Sequence, residues 1–162
     1  MAEDGIEWLV VSDGQSWRVA WFPPPDPPVG TEHGSAGVCV AGDQVVLVSS
    51  DGRRWGLPGG RPEPGEDWLA ALRREVAEEA CATVTGARLL GFSRGRCVRG
   101  REQGLVLVRA HWLAEVRLEA WRPRFEMAGR RLVPRNEALD TMWIEDGLAP
   151  MYRRIFSEAA GS

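Results

Sequence analysis

The chain is poor in several features that define other classes of protein. Its 162 residues contain no apolar run near the ~20 residues a membrane-spanning helix needs. It has three cysteines, Cys39, Cys81 and Cys97. Their odd number and the lack of CxxC spacing argue against a disulfide framework or a zinc site. The two histidines, His33 and His111, stand alone, and each reads as structural. The formal net charge is -3, so no global basic field points to nucleic acid or an anionic membrane. The start, "MAEDGIEWLV", is acidic and lacks the basic-then-apolar order of a signal peptide. A reducing cytoplasm is the simplest compartment on these grounds, with neither membrane nor nucleic acid expected as a partner.

What is present suits one compact domain with a real core, given the length and the 44% hydrophobic and 27% charged residues. "EWLVVS" and "SWRVAWF" read as a β-hairpin around Asp13-Gly14. "PPPDPP", Pro23 to Pro28, reads as a stiff connector rather than a peptide ligand, because it lacks flanking basic residues. These first 33 residues form one expected unit, and residues 34–162 a second. In the second, "AGVCVAG" and "QVVLVSS" are strands around a turn, and Pro58, Gly59 and Gly60 end regular structure. A helix follows, about Glu66 to Ala80, with Leu69, Leu72, Val76 and Ala80 as its apolar stripe. Then come long strands, "ARLLGFSRGRC" and "GLVLVRAHWLAEVRLEA", a short strand "RRLVP", and helices over "NEALDTMWI" and "LAPMYRRIFSEAA". This order predicts an α/β fold with a mixed sheet and helices packed on it.

The central helix carries Glu75, Glu78 and Glu79 beside Arg74. At about 100° per residue the three glutamates span roughly 100° of surface, centred about 100° from the apolar stripe. On a solvated helix such a cluster costs only about 0.2–0.5 kcal/mol per pair and signals nothing by itself. In a cleft, two carboxylates ~6 Å apart at an effective dielectric of ~20 repel by roughly 3 kcal/mol. That cost is met by cations, and carboxylate oxygens suit hard ions such as Mg2+ or Mn2+.

The wider spacing is more specific than the cluster. Gly60, five residues, Glu66, seven residues, then Arg74-Glu75-Val76-Ala77-Glu78-Glu79 resembles the signature of the Nudix (MutT-like) hydrolase family, G-x5-E-x7-R-E-U-x-E-E-x-G-U with U a bulky apolar residue. All six polar or glycine positions from Gly60 to Glu79 match. Two later positions depart. Cys81 stands where the family has Gly, and Ala82 where it has a bulky residue. The Gly turns the chain with positive φ, which is awkward for cysteine.

The resemblance implies an α/β/α sandwich from about Gly34 onward, and metal-dependent hydrolysis of a pyrophosphate bond in a nucleoside diphosphate linked to another moiety, as in a nucleoside triphosphate or a nucleotide sugar. It implies Glu78 and Glu79 as ligands of Mg2+ or Mn2+, with the Gly60 carbonyl, and Glu75 as a further ligand or the general base. Arg74 would orient a helix glutamate, and Glu66 would buttress the loop. Glu126, in "RFEMAGRRLVP", is the candidate for the additional metal-site glutamate that relatives often carry, with Glu102 its rival. A homodimer is a further expectation, because many relatives form one.

For the rest of a substrate, Arg94 and Arg96 in "SRGRCVRGRE" suggest a phosphate clamp, since guanidinium forks match phosphate oxygens. Trp55, just before the signature, could stack a base. Markers for ADP-ribose, dinucleoside polyphosphates or coenzyme A are not evident. The alternative readings are a non-catalytic nucleotide-binding sensor of the same fold, and an interaction module working through the Trp-rich hairpin.

Overall fold

The run Gln44–Ser49 shows how this sequence builds two cores at once. Strand geometry sends successive side chains to opposite faces. Val45 and Leu47 are buried against one helical layer, and Val46 and Val48 against another. A computed structural model describes residues 1–124 and 127–161.

Among the described residues the elements are β1 (Trp8–Ser12), β2 (Gln15–Phe22), β3 (Thr31–Ala41), β4 (Gln44–Ser49), β5 (Gly59–Gly60), α1 (Trp68–Ala80), β6 (Ala82–Arg99), β7 (Val106–Leu118), β8 (Gly129–Pro134), α2 (Arg135–Thr141) and α3 (Ala149–Ala160). The strands form a mixed sheet in the order β1-β2-β6-β7-β3-β4-β8, with β5 paired to β3. Among the described strands, β3 and β7 run parallel and the other pairs are antiparallel. The N-terminal hairpin extends this sheet, with β2 lying along β6 in a register that sets Trp17 opposite Cys97 and Trp21 opposite Ser93. The boundary expected at residue 34 falls inside β3.

One face of the sheet carries Trp21, Val38, Val45, Leu47 and Leu90 against Ala138 of α2 and Met151, Ile155 and Ala159 of α3. The other carries Cys39, Val46, Val48, Val84 and Val116 against Leu72, Val76 and Ala80 of α1. The result is the expected α/β/α sandwich. Full burial of a Leu or Val contributes about 1.5–3 kcal/mol. Leu72 and Val76 alone therefore outweigh the few tenths that like charges cost along α1.

Both ends of α1 are fixed by side chains. Asp67, in extended conformation, accepts from the Ala70 amide at 2.7 Å and caps the helix. Glu66 is thus left in the loop rather than opening the helix, as the sequence had suggested. At the other end Cys81 takes the left-handed conformation, φ 50° and ψ 52°. The turn that the family builds with glycine is made here with a cysteine. Arg130 Nη1 donates to the carbonyls of Ala80 (2.9 Å), Cys81 (3.1 Å) and Glu119 (3.0 Å). One guanidinium so satisfies carbonyls that a helix end leaves open.

Helix α2 stops at Thr141, short of the Ile144 expected, because the Trp143 amide turns away to donate to the Trp55 carbonyl at 2.9 Å. None of the described helices is long and apolar enough to cross a membrane.

Candidate active site

Arg74 is the organising side chain of α1. Its Nε and Nη2 donate to the two oxygens of Glu66 at 2.8 and 3.0 Å. Its Nη1 donates to Glu75 Oε1 at 2.7 Å and to Glu78 Oε2 at 3.2 Å, and Nη2 also reaches the Arg61 carbonyl at 3.0 Å. These groups are mostly shielded, with 21% of the Arg74 side chain and 15% of Glu75 exposed. Hydrogen bonds donated to Glu66, then to Glu75, hold the guanidinium firmly charged against the opposing cost of burial. Glu66 in turn accepts from the Glu63 amide at 2.7 Å. The arginine and that amide keep its carboxyl below the usual range. One arginine thereby ties the loop to the helix and sets two glutamates in position.

The glycine pair meets the helix glutamates from the other side. Gly59 and Gly60 form β5 against Ala36 and Ser35 of β3. The Gly59 amide donates to Glu79 Oε1 at 2.8 Å. A side chain at Gly60 would put its Cβ 2.5 Å from Cδ and Oε1 of Glu75, so the carboxylate keeps its place only because this residue is glycine. Burial, opposed by the Gly59 amide and reinforced by the charges of Glu75 and Glu78, lifts the Glu79 carboxyl to about 7. Three carboxylates crowded this closely hold more negative charge than their surroundings neutralise.

That surplus and the all-oxygen donor set fit a hard divalent cation. Among the described residues, no three His, Cys, Asp or Glu side chains already form a metal cage. Arg74 occupies Glu75 Oε1 and Glu78 Oε2, while Glu79 Oε1 is held by Gly59. The second oxygens of these three glutamates carry no hydrogen bond within the described residues.

On the face that bears α3, two adjoining cavities open beside the glycine pair. The nearer, about 280 Å³, is lined by Gly59, Gly60, Ser35, His111 and Tyr152 among others. The larger, about 550 Å³, lies under the N-terminal hairpin and is walled by Val10, Trp17, Val19, Leu107 and Leu148. His33, Arg109 and Met151 line both and mark where they join.

The structure does not bring Arg94 and Arg96 into this cleft. Alternation along β6 puts Ser93 and Gly95 on the cavity side. Arg94 and Arg96 take the opposite face, where Glu7 pairs with both, at 3.5 and 3.0 Å. Trp55 lines neither cavity. It packs against Gly129 and lies beneath the Arg131 guanidinium, 5.9 Å from ring centre to carbon. Glu126 lies outside the described residues. Glu102 lines the larger cavity and receives the Gln15 side-chain amide at 3.4 Å.

Two cleft residues escaped the sequence reading. Arg109 lies within an apolar strand, and Trp17 within the Trp-rich hairpin. The signal was there in "GLVLVRAHW", since Leu105, Leu107, Arg109 and His111 share one strand face, where charge is out of pattern.

An α/β/α sandwich whose glycine loop meets a helix of glutamates pinned by an arginine defines a carboxylate-lined, cation-receptive site. A NUDIX domain model matches residues 31–155, and the chain belongs to the Nudix family. Among solved structures it is similar to the Bacillus subtilis pyrophosphohydrolase BsRppH, with 24% identity, a TM-score of 0.69, and 90% of this chain and 93% of that one covered. It is also similar to a NUDIX hydrolase from Nitrosomonas europaea (20% identity, TM-score 0.61, covering 80% and 88%). A third is a MutT protein from Bacillus halodurans (20% identity, TM-score 0.59, covering 76% and 80%).

Proposed function

We propose that the chain is a metal-dependent pyrophosphohydrolase acting on a nucleoside diphosphate linked to a further group. The observation that carries this reading is that Glu75 and Glu79 meet the glycine pair while Arg74 holds Glu75 and Glu78 beside them. Glu78 and Glu79, with the Gly60 carbonyl, would hold Mg2+ or Mn2+. Such an ion would neutralise the diphosphate and acidify a nearby water.

The chain's own groups do the rest. Glu75 Oε1 is engaged by Arg74, which leaves Oε2 to take a proton from the attacking water. The water oxygen forms a bond to one phosphorus, the bridging P–O bond breaks, and the leaving phosphate keeps the electron pair. Fixed donors and charges aimed at the phosphates supply most of the acceleration. The names of BsRppH and of an ADP-ribose pyrophosphatase from Streptococcus suis, similar at 14% identity and a TM-score of 0.55, support a pyrophosphate substrate.

The test is product release from nucleoside triphosphates, ADP-ribose, sugar nucleotides and dinucleoside polyphosphates, each with Mg2+, with Mn2+ and with chelator. Cleavage that needs metal and is lost in Glu79→Gln, with the melting temperature kept, is the expected result. Full rates in that variant would overturn the site.

A further inference from the structure

Arg109 stands where the two cavities meet. It forms no hydrogen bond or ion pair through its guanidinium among the described residues. Solvent reaches it through the mouth of the cleft, yet protein crowds it enough that desolvation lowers its pKa, and the nearby Arg61 lowers it further. Arg61 lines the same cavity and is tethered to His33 Nδ1 at 3.1 Å. Burial, then the charges of Arg109 and Arg61, lower the pKa of His33, and an imidazole has no negative charge to offset either guanidinium. Two solvent-reachable guanidiniums thus share this wall with no carboxylate within ion-pair distance of either among the described residues, though the Glu145 charge acts on Arg109, and an anion between them would be favoured.

Beyond them the character of the cleft changes. The larger cavity has apolar walls from β1, β2, β7 and α3, and the other charged side chains along it are Asp13, Glu32, Glu102 and Glu145, with Arg101, which pairs with Asp13. Trp17 lies beside Gly95, its Cε3 3.5 Å from an ideal Cβ at that position. Its volume is within the ~300–1,000 Å³ of small-molecule sites. Beyond Arg61 and Arg109 the slot joins apolar walls and an indole to a net acidic lining, four carboxylates against Arg101 alone, which disfavours a second anion. It suits a neutral heteroaromatic ring with N–H donors and a hydroxylated sugar. The walls from β1 and β2 lie outside residues 31–155, so this part of the cleft is built by a segment that the family match does not include.

We propose that Arg109 positions the phosphate chain of the substrate as it leaves the carboxylates, and that the hairpin-walled cavity receives the base and ribose of a nucleoside 5′-polyphosphate. This rests on the hydrolase reading for the direction of the chain. The phosphates run from Glu79 past Gly59 and Gly60 to Arg109, and the base ends beside Trp17.

Four variants test it: Arg109→Ala, Arg109→Lys, Trp17→Ala and Trp17→Phe, each first checked for an unchanged melting temperature. Two measurements are made on each. One is kcat and KM for the nucleoside triphosphate the wild type cleaves best. The other is equilibrium binding of AMP, GMP, CMP and UMP in EDTA, which needs neither metal nor turnover. Arg109→Ala should raise KM and weaken monophosphate binding about tenfold or more, the worth of one charge-assisted hydrogen bond, with kcat less affected. Arg109→Lys should recover part of the loss. Trp17→Ala should weaken binding about tenfold, and Trp17→Phe should restore most of it. If the wild type cleaves nucleotides while Arg109→Ala and Trp17→Ala bind and turn over normally, the subsite is overturned and the hydrolase stands. If monophosphates bind through Arg109 and nothing is cleaved, the hydrolase fails and the subsite stands. Neither binding nor cleavage overturns both. Should Trp17→Ala fail to fold, an unchanged KM and unchanged monophosphate binding in Arg109→Ala still overturn the proposal.

Discussion

The carboxylate of Glu75 occupies the space that a side chain on Gly60 would fill, with 2.5 Å from an ideal Cβ to the Glu75 Cδ. Backbone and catalytic candidate are therefore packed against each other. Gly60→Ala must push one of them away, and the carboxylate tip is the softer of the two. Moving a reacting group by ~1 Å can cost about a hundredfold in rate. We expect kcat to fall by about that factor while the melting temperature moves by only a few degrees. Steady-state kinetics beside a thermal melt measures both, and a fully active Gly60→Ala would contradict the packing argument.

Arg74 acts through geometry as well as charge. Lysine at that position keeps the positive charge but has no fork to bridge Glu66, Glu75 and Glu78 together. Arg74→Lys is expected to lose most of the activity while retaining the far-UV circular dichroism of the wild type. Wild-type kcat in Arg74→Lys would show that charge alone suffices.

The left-handed residue at the end of α1 offers an opposite kind of change. A non-glycine residue there costs about 1 kcal/mol. Cys81→Gly removes that strain, though the freer unfolded chain takes back part of the gain. The expected outcome is stabilisation of about 0.5–1 kcal/mol in urea unfolding, with activity unchanged. Destabilisation would mean that the half-buried thiol contributes more to packing than its backbone costs.

His111 predicts a pH dependence. It is buried, accepts or donates one hydrogen bond with Ser93 Oγ at 2.8 Å, and stacks on Trp21 at 5.6 Å between ring centres. Burial first, and the Arg109 charge second, lower its pKa from 6.5 to about 3. Above pH 6.5 the imidazole is neutral in both folded and unfolded chains and has no effect. Between 6.5 and about 3 the unfolded chain binds a proton that the folded one refuses. Stability should therefore fall with pH by up to about 1.4 kcal/mol per unit. Urea melts of the wild type and His111→Gln from pH 7.5 to 4.5 isolate this slope from that of the carboxylates. Parallel curves would show that His111 does not carry it.

The parts of the site that were legible in the sequence are those within one helix and the loop before it. Spacing along a helix fixes direction, so Arg74, Glu75, Glu78 and Glu79 could be placed on one side of α1 before any tertiary contact was known. The wall of the cleft was not legible in this way. Trp17 and Arg109 face one cavity only because β2 lies along β6 and β6 along β7, a register set by long-range pairing. The same register misled the reading of Arg94 and Arg96. Their density suggested a clamp, but strand alternation turns both toward Glu7, almost ninety residues away in the chain. Trp55 was placed by its nearness in sequence to the glycines, whereas β8 draws it onto Gly129. Cys81 was legible as a problem, and its left-handed geometry shows that the turn was kept despite the substitution.

The strand order also dictates a sequence of events during synthesis. Strands β2 and β3 are neighbours along the chain but are separated in the sheet by β6 and β7. The native sheet is therefore complete only once a second hairpin, made much later in the chain, lies between them. Pairings this distant slow the search for the native sheet. A nascent chain arrested before β7 is complete has the outer walls of the cleft and no floor between them.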